Sequence, residues 1–346
     1  MTKQERQIPN LISSQAYLIG LFNARLKEID QRGVKVLRLN CHFVKSHYDD
    51  NFFHFVIQND LTYKIETGVR RRCKIFCVSF SGHARRKMYQ ALKLAYEHGF
   101  NQGDVIVPKP LWYSDELMAA FYIGVPGENL LEHIKNGYFD PSIIQKVALG
   151  LLKLHDIKPT EDIKLKKHTF SPVFLDPTNV INRAYNKDTT SLTHEILVQF
   201  HRLKKLYQKI IKDQAVFSHG DFHPENVIIN TFNNRQLAII DFSEVTLAPV
   251  YYDIASFLQQ LEFMTRNYLT PEEYLNTEYV FLSAYFNCKK IPQEIQNKIN
   301  LYKSWTALKS AVYFMIFNDQ ANRNFAEGLL AESEDLYRQI KPQLKR

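Results

Sequence analysis

The spacing of apolar positions predicts an N-terminal helix followed by an antiparallel sheet. Over residues 14–29 the apolar positions recur every three or four residues, as on one face of a helix, and Ser13 and Ser14 can cap it. Alternating polar and apolar residues then predict strands over residues 34–43, 52–57, 63–66 and 74–80. A second helical pattern over residues 83–98 ends at Gly99, a residue type that favours helix C-termini.

The pattern changes at residues 124–127, where Gly and Pro interrupt it, and the rest of the chain is mainly helical. Pro141 follows Asp140, as at the start of a helix. The predicted fold is α+β and two-lobed, with a small antiparallel-sheet N-lobe and a larger, mainly helical C-lobe. The predicted domains are an N-terminal helical extension, a sheet lobe with one helix and a helical lobe, over residues 1–33, 34–125 and 126–346.

Composition indicates a globular protein and excludes few functions. The chain has 346 residues, 45% hydrophobic and 23% charged, which is ordinary for about two soluble domains. The N-terminus is polar, and no apolar stretch approaches the ~20 residues of a membrane span. The four cysteines lack disulfide or metal spacing, so a cytoplasmic protein without a membrane partner is expected. The net charge of +8 fits an anionic partner or a solvated surface. The second is favoured over nucleic-acid binding because no recognisable nucleic-acid module accompanies it.

Candidate chemistry lies in the run His219-Gly220-Asp221-Phe222-His223-Pro224-Glu225-Asn226, followed by Ile239-Ile240-Asp241-Phe242-Ser243. Phosphoryl transfer needs a group that positions the attacking hydroxyl and a metal that neutralises phosphate charge. Asp221 is predicted to be the base or positioning group. Asn226 and Asp241 are predicted to offer the oxygen ligands that Mg²⁺ prefers. Singly, each residue can be a turn or a cap; the ordered set favours a site.

These residues resemble the aminoglycoside phosphotransferase and choline kinase-like family, whose catalytic loop reads His-Gly-Asp-x-His-x-x-Asn and whose metal Asp lies in Ile-Asp-Phe. Residues 249–255, Pro-Val-Tyr-Tyr-Asp-Ile-Ala, resemble a further family element. The resemblance implies a protein-kinase-like fold. It implies that His219 supports the catalytic loop and that Asp253 helps to hold it.

The resemblance further implies a kinase that uses ATP and Mg²⁺ to phosphorylate an alcohol group of a small molecule. Aminoglycosides and other antibiotics, choline-like amino alcohols and sugars are the acceptors in range, and a chain of +8 argues mildly against a polycation. The implied acceptor site lies in the C-lobe, with candidates at Tyr251, Tyr252, Gln259, Glu262 and residues 304–318.

The N-lobe departs from the kinase pattern. A kinase holds nucleotide phosphates with a strand Lys paired to a Glu on the next helix, but here the expected Lys position holds Val78 or Ser79 and the helix opens without Glu. Lys74, on the same strand face as Val78, is the candidate cofactor-binding residue; the alternatives are Lys64, a basic residue at 85–87, or an ordinary surface role for Lys74. The departure supports a second hypothesis, a pseudokinase or nucleotide-binding regulatory protein with little transfer activity.

Overall fold

The computed structural model describes residues 1–138, 140–160, 163–170, 190–230, 232, 236–316 and 320–340. The chain forms two compact units. The first comprises Met1–Glu128, Pro159–Lys164 and Ile228–Val245, and the second Asn129–Lys158, Leu165–Val227 and Thr246–Arg346. Late segments of the chain thus join the first unit, and the domain boundaries predicted after residues 33 and 125 stay predictions.

Most of the described strands lie in the first part of the chain, and the second part is mainly helical. The strands are β1 (Gly33–Tyr48), β2 (Phe53–Ile65), β3 (Arg70–Phe80), β4 (Val105–Ile106), β5 (Lys109–Ser114), β6 (Ala119–Ile123), β7 (Gly127–Asn129), β8 (Val216–Ser218), β9 (Val227–Asn230), β10 (Leu237–Ile239) and β11 (Thr246–Ala248). The helices are α1 (Ile8–Ser13), α2 (Gln15–Ala24), α3 (Leu26–Ile29), α4 (Ala84–Ala95), α5 (Leu130–Lys135), α6 (Pro141–His155), α7 (Thr190–Ile210), α8 (Tyr251–Thr265), α9 (Pro271–Phe286), α10 (Gln293–Ile316) and α11 (Gln320–Gln339).

The first unit is built on a five-stranded antiparallel sheet in the order β1-β2-β3-β6-β5. The helix predicted over residues 14–29 is two short helices, α2 and α3, and Ser14 caps α2 by accepting a hydrogen bond from the Tyr17 N–H. Two predicted strands, 52–57 and 63–66, are one strand, β2. The polar residues that suggested a break are tolerated because the buried Asn59 amide donates to the Ile75 carbonyl at 3.2 Å.

The two faces of this sheet differ in chemistry. Ile75 and Cys77 of β3 face a core that also contains Phe22 of α2. Because side chains alternate along a strand, Lys74, Phe76, Val78 and Phe80 lie on the opposite face. That second face carries the basic and aromatic residues discussed below.

The second unit packs helices around a two-stranded sheet of β8 and β11. Helix α8 packs on α10, and α10 packs on α7 and α11. Trp305 and Tyr302 are the largest side chains buried in this unit. Buried Lys303 is paired with Glu278 at 3.2 Å and Glu262 at 3.4 Å, which compensates the charge removed from water.

Helix starts in the second unit follow the sequence closely. Asp140 caps α6 by accepting from the Ser142 N–H, with Pro141 in the first turn as predicted. Thr270 and Glu273 form a reciprocal capping box at the start of α9. Among the described residues, no helix combines the length and apolar character needed to cross a membrane.

Gly127 is predicted to be intolerant of a side chain. A Cβ there would overlap the backbone of Ile229 in β9, next to which β7 runs, so Gly127→Ala should lower the free energy of unfolding by about 1–3 kcal/mol. Gly20, exposed in α2 with open space around it, is the control, and Gly20→Ala should raise stability by about 0.5–1 kcal/mol. Urea unfolding of both variants checks this; equal effects would contradict the close approach at Gly127.

Candidate active site

The loop that follows β8 is held by one buried carboxylate. Asp253, in the first turn of α8, accepts hydrogen bonds from the backbone N–H of His219 at 2.7 Å and from that of Gly220 at 2.9 Å. Gly220 adopts φ 86°, a left-handed conformation that glycine accommodates without a steric penalty. The prediction that Asp253 helps to hold this loop is therefore confirmed.

Asp253 has a second anchor that the sequence did not reveal. His155, at the end of α6, donates from Nε2 to the Asp253 carboxylate at 3.0 Å, and its Nδ1 lies 2.6 Å from the Tyr285 hydroxyl. Burial pushes the pKa of Asp253 upward, but hydrogen bonding and charge from His155, with the Gly220 N–H, hold that pKa below its ordinary value. The carboxylate is therefore ionised and links three separate segments of the second unit.

His219 contributes its main chain to this arrangement. Its backbone N–H binds Asp253, and its fully buried ring packs edge-to-face on Phe222 at 5.6 Å between centroids. This geometry is that of a residue supporting the loop, in line with the role that the family resemblance implies. A direct part of His219 in the reaction stays a prediction.

Asp221 follows the clamped residues and is partly open to solvent, with 49% of its side chain exposed. Its Oδ2 lies 3.6 Å from Nε2 of His223. Burial tends to raise the pKa of Asp221, but hydrogen bonding and charge from His223 and the charge of Lys309 outweigh it and lower the pKa. Asp221 is thus an ionised, reachable carboxylate on a fixed loop, which suits an acceptor for a hydroxyl proton.

Asn226 is oriented by its amide nitrogen. Nδ2 donates to the Asp221 carbonyl at 2.8 Å and lies 3.0 Å from Nε2 of His223. Because both contacts involve the nitrogen, the amide oxygen is the atom that remains to face a cation. This orientation fits a Mg²⁺ ligand, since magnesium takes oxygen donors.

Asp241 belongs to the first unit, where it follows β10. It has a left-handed backbone, φ 62° and ψ 70°, and its Oδ1 accepts from the Ser243 N–H at 3.2 Å. That bond uses one oxygen of an exposed carboxylate, and the geometry leaves the other for a cation. Asp241 therefore fits the chemistry of a magnesium ligand together with nucleotide phosphates.

Lys74 lies in a groove of the first unit with a volume of about 1150 Å³. Arg38, Arg70 and Arg72 also line the groove, as does Gly124, whose N–H donates to the Lys74 carbonyl at 2.9 Å. The Lys74 side chain lies on the same face of the sheet as Val78. The groove is strongly basic and adjoins the segment 124–127 that the sequence marks as a change of pattern. Lys74 as a nucleotide contact stays a prediction.

Among the residues predicted for the acceptor site, Tyr252 contacts both a lysine and a histidine. Its hydroxyl accepts from Nζ of Lys309 at 3.1 Å, and its ring stacks on His168 at 4.0 Å. Tyr251 instead donates to Asp213, and Glu262 pairs with Lys303. Of the candidate stretch 304–318, residues 317 and 318 lie outside the described residues.

Sequence reasoning included Lys309 only as part of the candidate stretch 304–318, without a role of its own, and it missed the contacts of His155 and Tyr285. A lysine amid the apolar positions of α10 was the available signal for the first. His155 ends an amphipathic helix and has no local signal that tells it from a surface histidine.

Comparison with known proteins agrees with this geometry. Residues 58–278 match the model of the phosphotransferase enzyme family, and the chain belongs to that family. It is accordingly a phosphotransferase of the class that acts on hydroxyl groups of small molecules. The sequence matches no curated protein.

Solved structures confirm the protein-kinase-like fold. A Plasmodium vivax ethanolamine kinase has a TM-score of 0.64 at 14% identity, over 98% of this chain and 96% of that one. An amicoumacin kinase bound to AMP-PNP, Ca²⁺ and Ami scores 0.62 at 13% identity, over 97% of each chain. A spectinomycin phosphotransferase bound to ADP and spectinomycin scores 0.61 at 15% identity, over 93% and 98%.

Removing the charge of Asp253 should destabilise the second unit. Asp253→Asn cannot accept from both backbone N–H groups and His155 as the carboxylate does, so the free energy of unfolding should fall by about 3–5 kcal/mol. Asp335→Asn is the control, because Asp335 is exposed and pairs with Arg338 at 2.9 Å; its cost should stay under about 1 kcal/mol. Denaturant titration compares the two, and similar costs would contradict a clamp by Asp253.

The stability of the second unit should fall on acidification through His168. Burial, with the nearby charge of Lys309, lowers the pKa of His168 from 6.5 to about 3. Between pH 6.5 and about pH 3, His168 binds a proton in the unfolded chain but not in the folded chain. The free energy of unfolding therefore falls as the pH drops through this range. His168→Gln should flatten this pH slope by up to about 1.4 kcal/mol per pH unit. The exposed His201→Gln should not alter it, and an unchanged slope in His168→Gln would refute the assignment.

Proposed function

We propose that this phosphotransferase transfers the γ-phosphate of ATP, with Mg²⁺, to a hydroxyl of a small molecule. The supporting observation is the pairing of an ionised, reachable Asp221 with a loop that Asp253 clamps by two backbone hydrogen bonds. Positioning accounts for most of what a protein contributes to phosphoryl transfer, and a rigid loop supplies it.

In the proposed reaction the acceptor hydroxyl donates a hydrogen bond to Asp221. Its oxygen attacks the γ-phosphorus while the bond from that phosphorus to the ADP oxygen breaks. The hydroxyl proton passes to Asp221 and then to solvent, and ADP leaves with the electron pair. Asn226 and Asp241 would hold Mg²⁺, which when bound neutralises phosphate charge. Lys74 would contact the nucleotide from the basic groove.

The charge near Asp221 bears on the acceptor. Lys309 acts on both Asp221 and Tyr252, so the surroundings of the reactive carboxylate include a cation. A polycationic aminoglycoside would be repelled by it, whereas an acceptor that is neutral or anionic near its hydroxyl would not. We therefore propose an acceptor of that second kind, such as a sugar or an uncharged antibiotic.

A second candidate is a nucleotide-binding regulatory protein with little transfer activity. It is favoured by the missing phosphate grip: Val78 is apolar and buried, the Ser79 hydroxyl donates to the Leu117 carbonyl at 2.5 Å, and α4 contains no acidic residue. An assay of ATP turnover with Mg²⁺ and a broad panel of small molecules that carry hydroxyl groups separates the two candidates. If the protein binds ATP but transfers phosphate to no member of the panel, the kinase proposal is refuted.

Substitution of the proposed base and metal ligand should remove activity without loss of fold. Asp221→Asn should lower kcat by about 10²–10⁴-fold, because the amide cannot take the proton. Asp241→Asn should keep its fold, since Asp241 is exposed, and should weaken magnesium-dependent turnover by at least about 10–100-fold.

Asp335→Asn is the matched control, a carboxylate on the surface of α11 whose loss should leave turnover unchanged. Thermal melting of each variant establishes that it is folded. Unchanged turnover in Asp221→Asn would refute the base, and an unchanged magnesium dependence in Asp241→Asn would refute the ligand.

A further inference from the structure

The end of the first-unit sheet where β3 leads into α4 contains an arginine held in a fixed place. One terminal nitrogen of Arg85 donates to Nε2 of His54 at 3.3 Å. The guanidinium carbon lies 5.0 Å from the centroid of the Phe80 ring, and Phe80 and His54 contact each other with centroids 5.2 Å apart. The proposed function as stated above gives none of these residues a role.

The guanidinium of Arg85 is only partly satisfied by these neighbours. Its Nε is buried and has no hydrogen-bond partner within the described residues. A buried donor without a partner is unfavourable, so part of the hydrogen-bonding capacity of Arg85 is unused. The neighbours themselves, an imidazole and a phenyl ring, carry no negative charge that would neutralise the cation.

Arg86, the next residue of α4, is a useful contrast. It forms an ion pair with Asp115, and its guanidinium carbon lies 4.7 Å from the ring centroid of Tyr113. Two arginines adjacent in sequence thus have different environments. Arg86 is satisfied by a surface carboxylate, whereas Arg85 is directed over the sheet with its positive charge uncompensated by its immediate neighbours.

The imidazole of His54 keeps that charge intact. Since a guanidinium only donates hydrogen bonds, Nε2 of His54 must accept, which places the ring proton on Nδ1. Burial, together with the charges of Arg85 and Lys45, lowers the pKa of His54 to about 4, so the ring is neutral at neutral pH. His54 therefore orients Arg85 and does not compete for an anion.

Arg85 also lies on the same part of the unit as Asp241. Helix α4 packs against the turn Phe242–Glu244 that directly follows Asp241. The charges of Asp241 and Arg85 act in opposite directions on the pKa of His54 and on that of Tyr122. The cation and the predicted metal ligand are therefore both close enough to act on the same two rings.

Lys74 lies away from Phe80 and Arg85 along the same face of β3. It shares the face of β3 with Phe80 but precedes it by six residues, which is about 20 Å of strand. In the sheet register it lies opposite Asp60, in the basic groove beside Gly124.

We propose that Arg85 supplies the cation that binds the nucleotide phosphates, in place of the strand Lys and helix Glu that this sheet lacks. The proposal rests on the proposed function. Arginine suits the task because its planar fork can bind two phosphate oxygens at once and stays charged at any working pH. His54 and Phe80 hold the Arg85 guanidinium in place, as the helix Glu holds the strand Lys in the kinase pattern.

The test measures phosphate recognition, with no need for turnover. Calorimetric titration gives Kd for ADP and for adenosine, each with Mg²⁺, in wild type, Arg85→Gln, Arg85→Lys and Arg86→Gln. Arg85→Gln keeps a donor for His54 but loses the charge, so it should weaken ADP at least tenfold and leave adenosine within twofold. Arg85→Lys should recover part of the ADP affinity. Arg86→Gln, the matched control, should match wild type for both ligands.

The outcomes separate the two proposals. Wild type that binds ADP no better than adenosine would overturn both the nucleotide phosphate site and the proposed function. If Arg85→Gln still binds ADP better than adenosine, the role of Arg85 alone is overturned. If Lys74→Gln loses that preference instead, the phosphate contact is assigned to Lys74 in the groove. Equal weakening of ADP and adenosine in Arg85→Gln would also overturn the role of Arg85, by showing a structural effect.

Discussion

The candidate active site depends on one buried charge. Asp253 has no exposed surface, and a carboxylate in that position is tolerated only because His155 and two backbone N–H groups replace its water. Those same bonds determine where the loop begins and force the turn at Gly220. The conformation of the catalytic loop is therefore a consequence of charge compensation inside the second unit, with the helices α6 and α8 as its supports.

Two ionised carboxylates on or beside this loop have different roles. Asp253 is fully enclosed, and His155, His219 and Gly220 each donate a hydrogen bond to it, so it serves architecture. Asp221 is half exposed, and His223 and Lys309 stabilise its charge without covering it. The separation lets one group be held rigidly while the other stays reachable, which is the arrangement that the proposed reaction requires.

The sequence predicted those features that have a local signal. The loop residues, the caps at Ser14 and Asp140 and the turn at Gly220 follow from residue types at fixed spacing. Features that depend on distant partners were missed or misjudged. The polar stretch around Asn59 read as a break in a strand, because its partner carbonyl at Ile75 is sixteen residues away. His155 is 98 residues from Asp253, and no pattern within α6 announces that contact.

The same reasoning explains why the nucleotide grip was the weakest part of the sequence interpretation. A search for Lys on β3 asks for a residue type at a position, but the physical requirement is a positive charge beside Asp241. Lys74 is separated by about 20 Å of strand from Phe80, the ring that the Arg85 guanidinium covers. Helix α4 packs on the turn after Asp241, and Arg85 lies in the first turn of that helix. If a guanidinium from the helix meets the requirement, the absence of a helix Glu follows as well, because a carboxylate there would neutralise the cation that has to meet the phosphate.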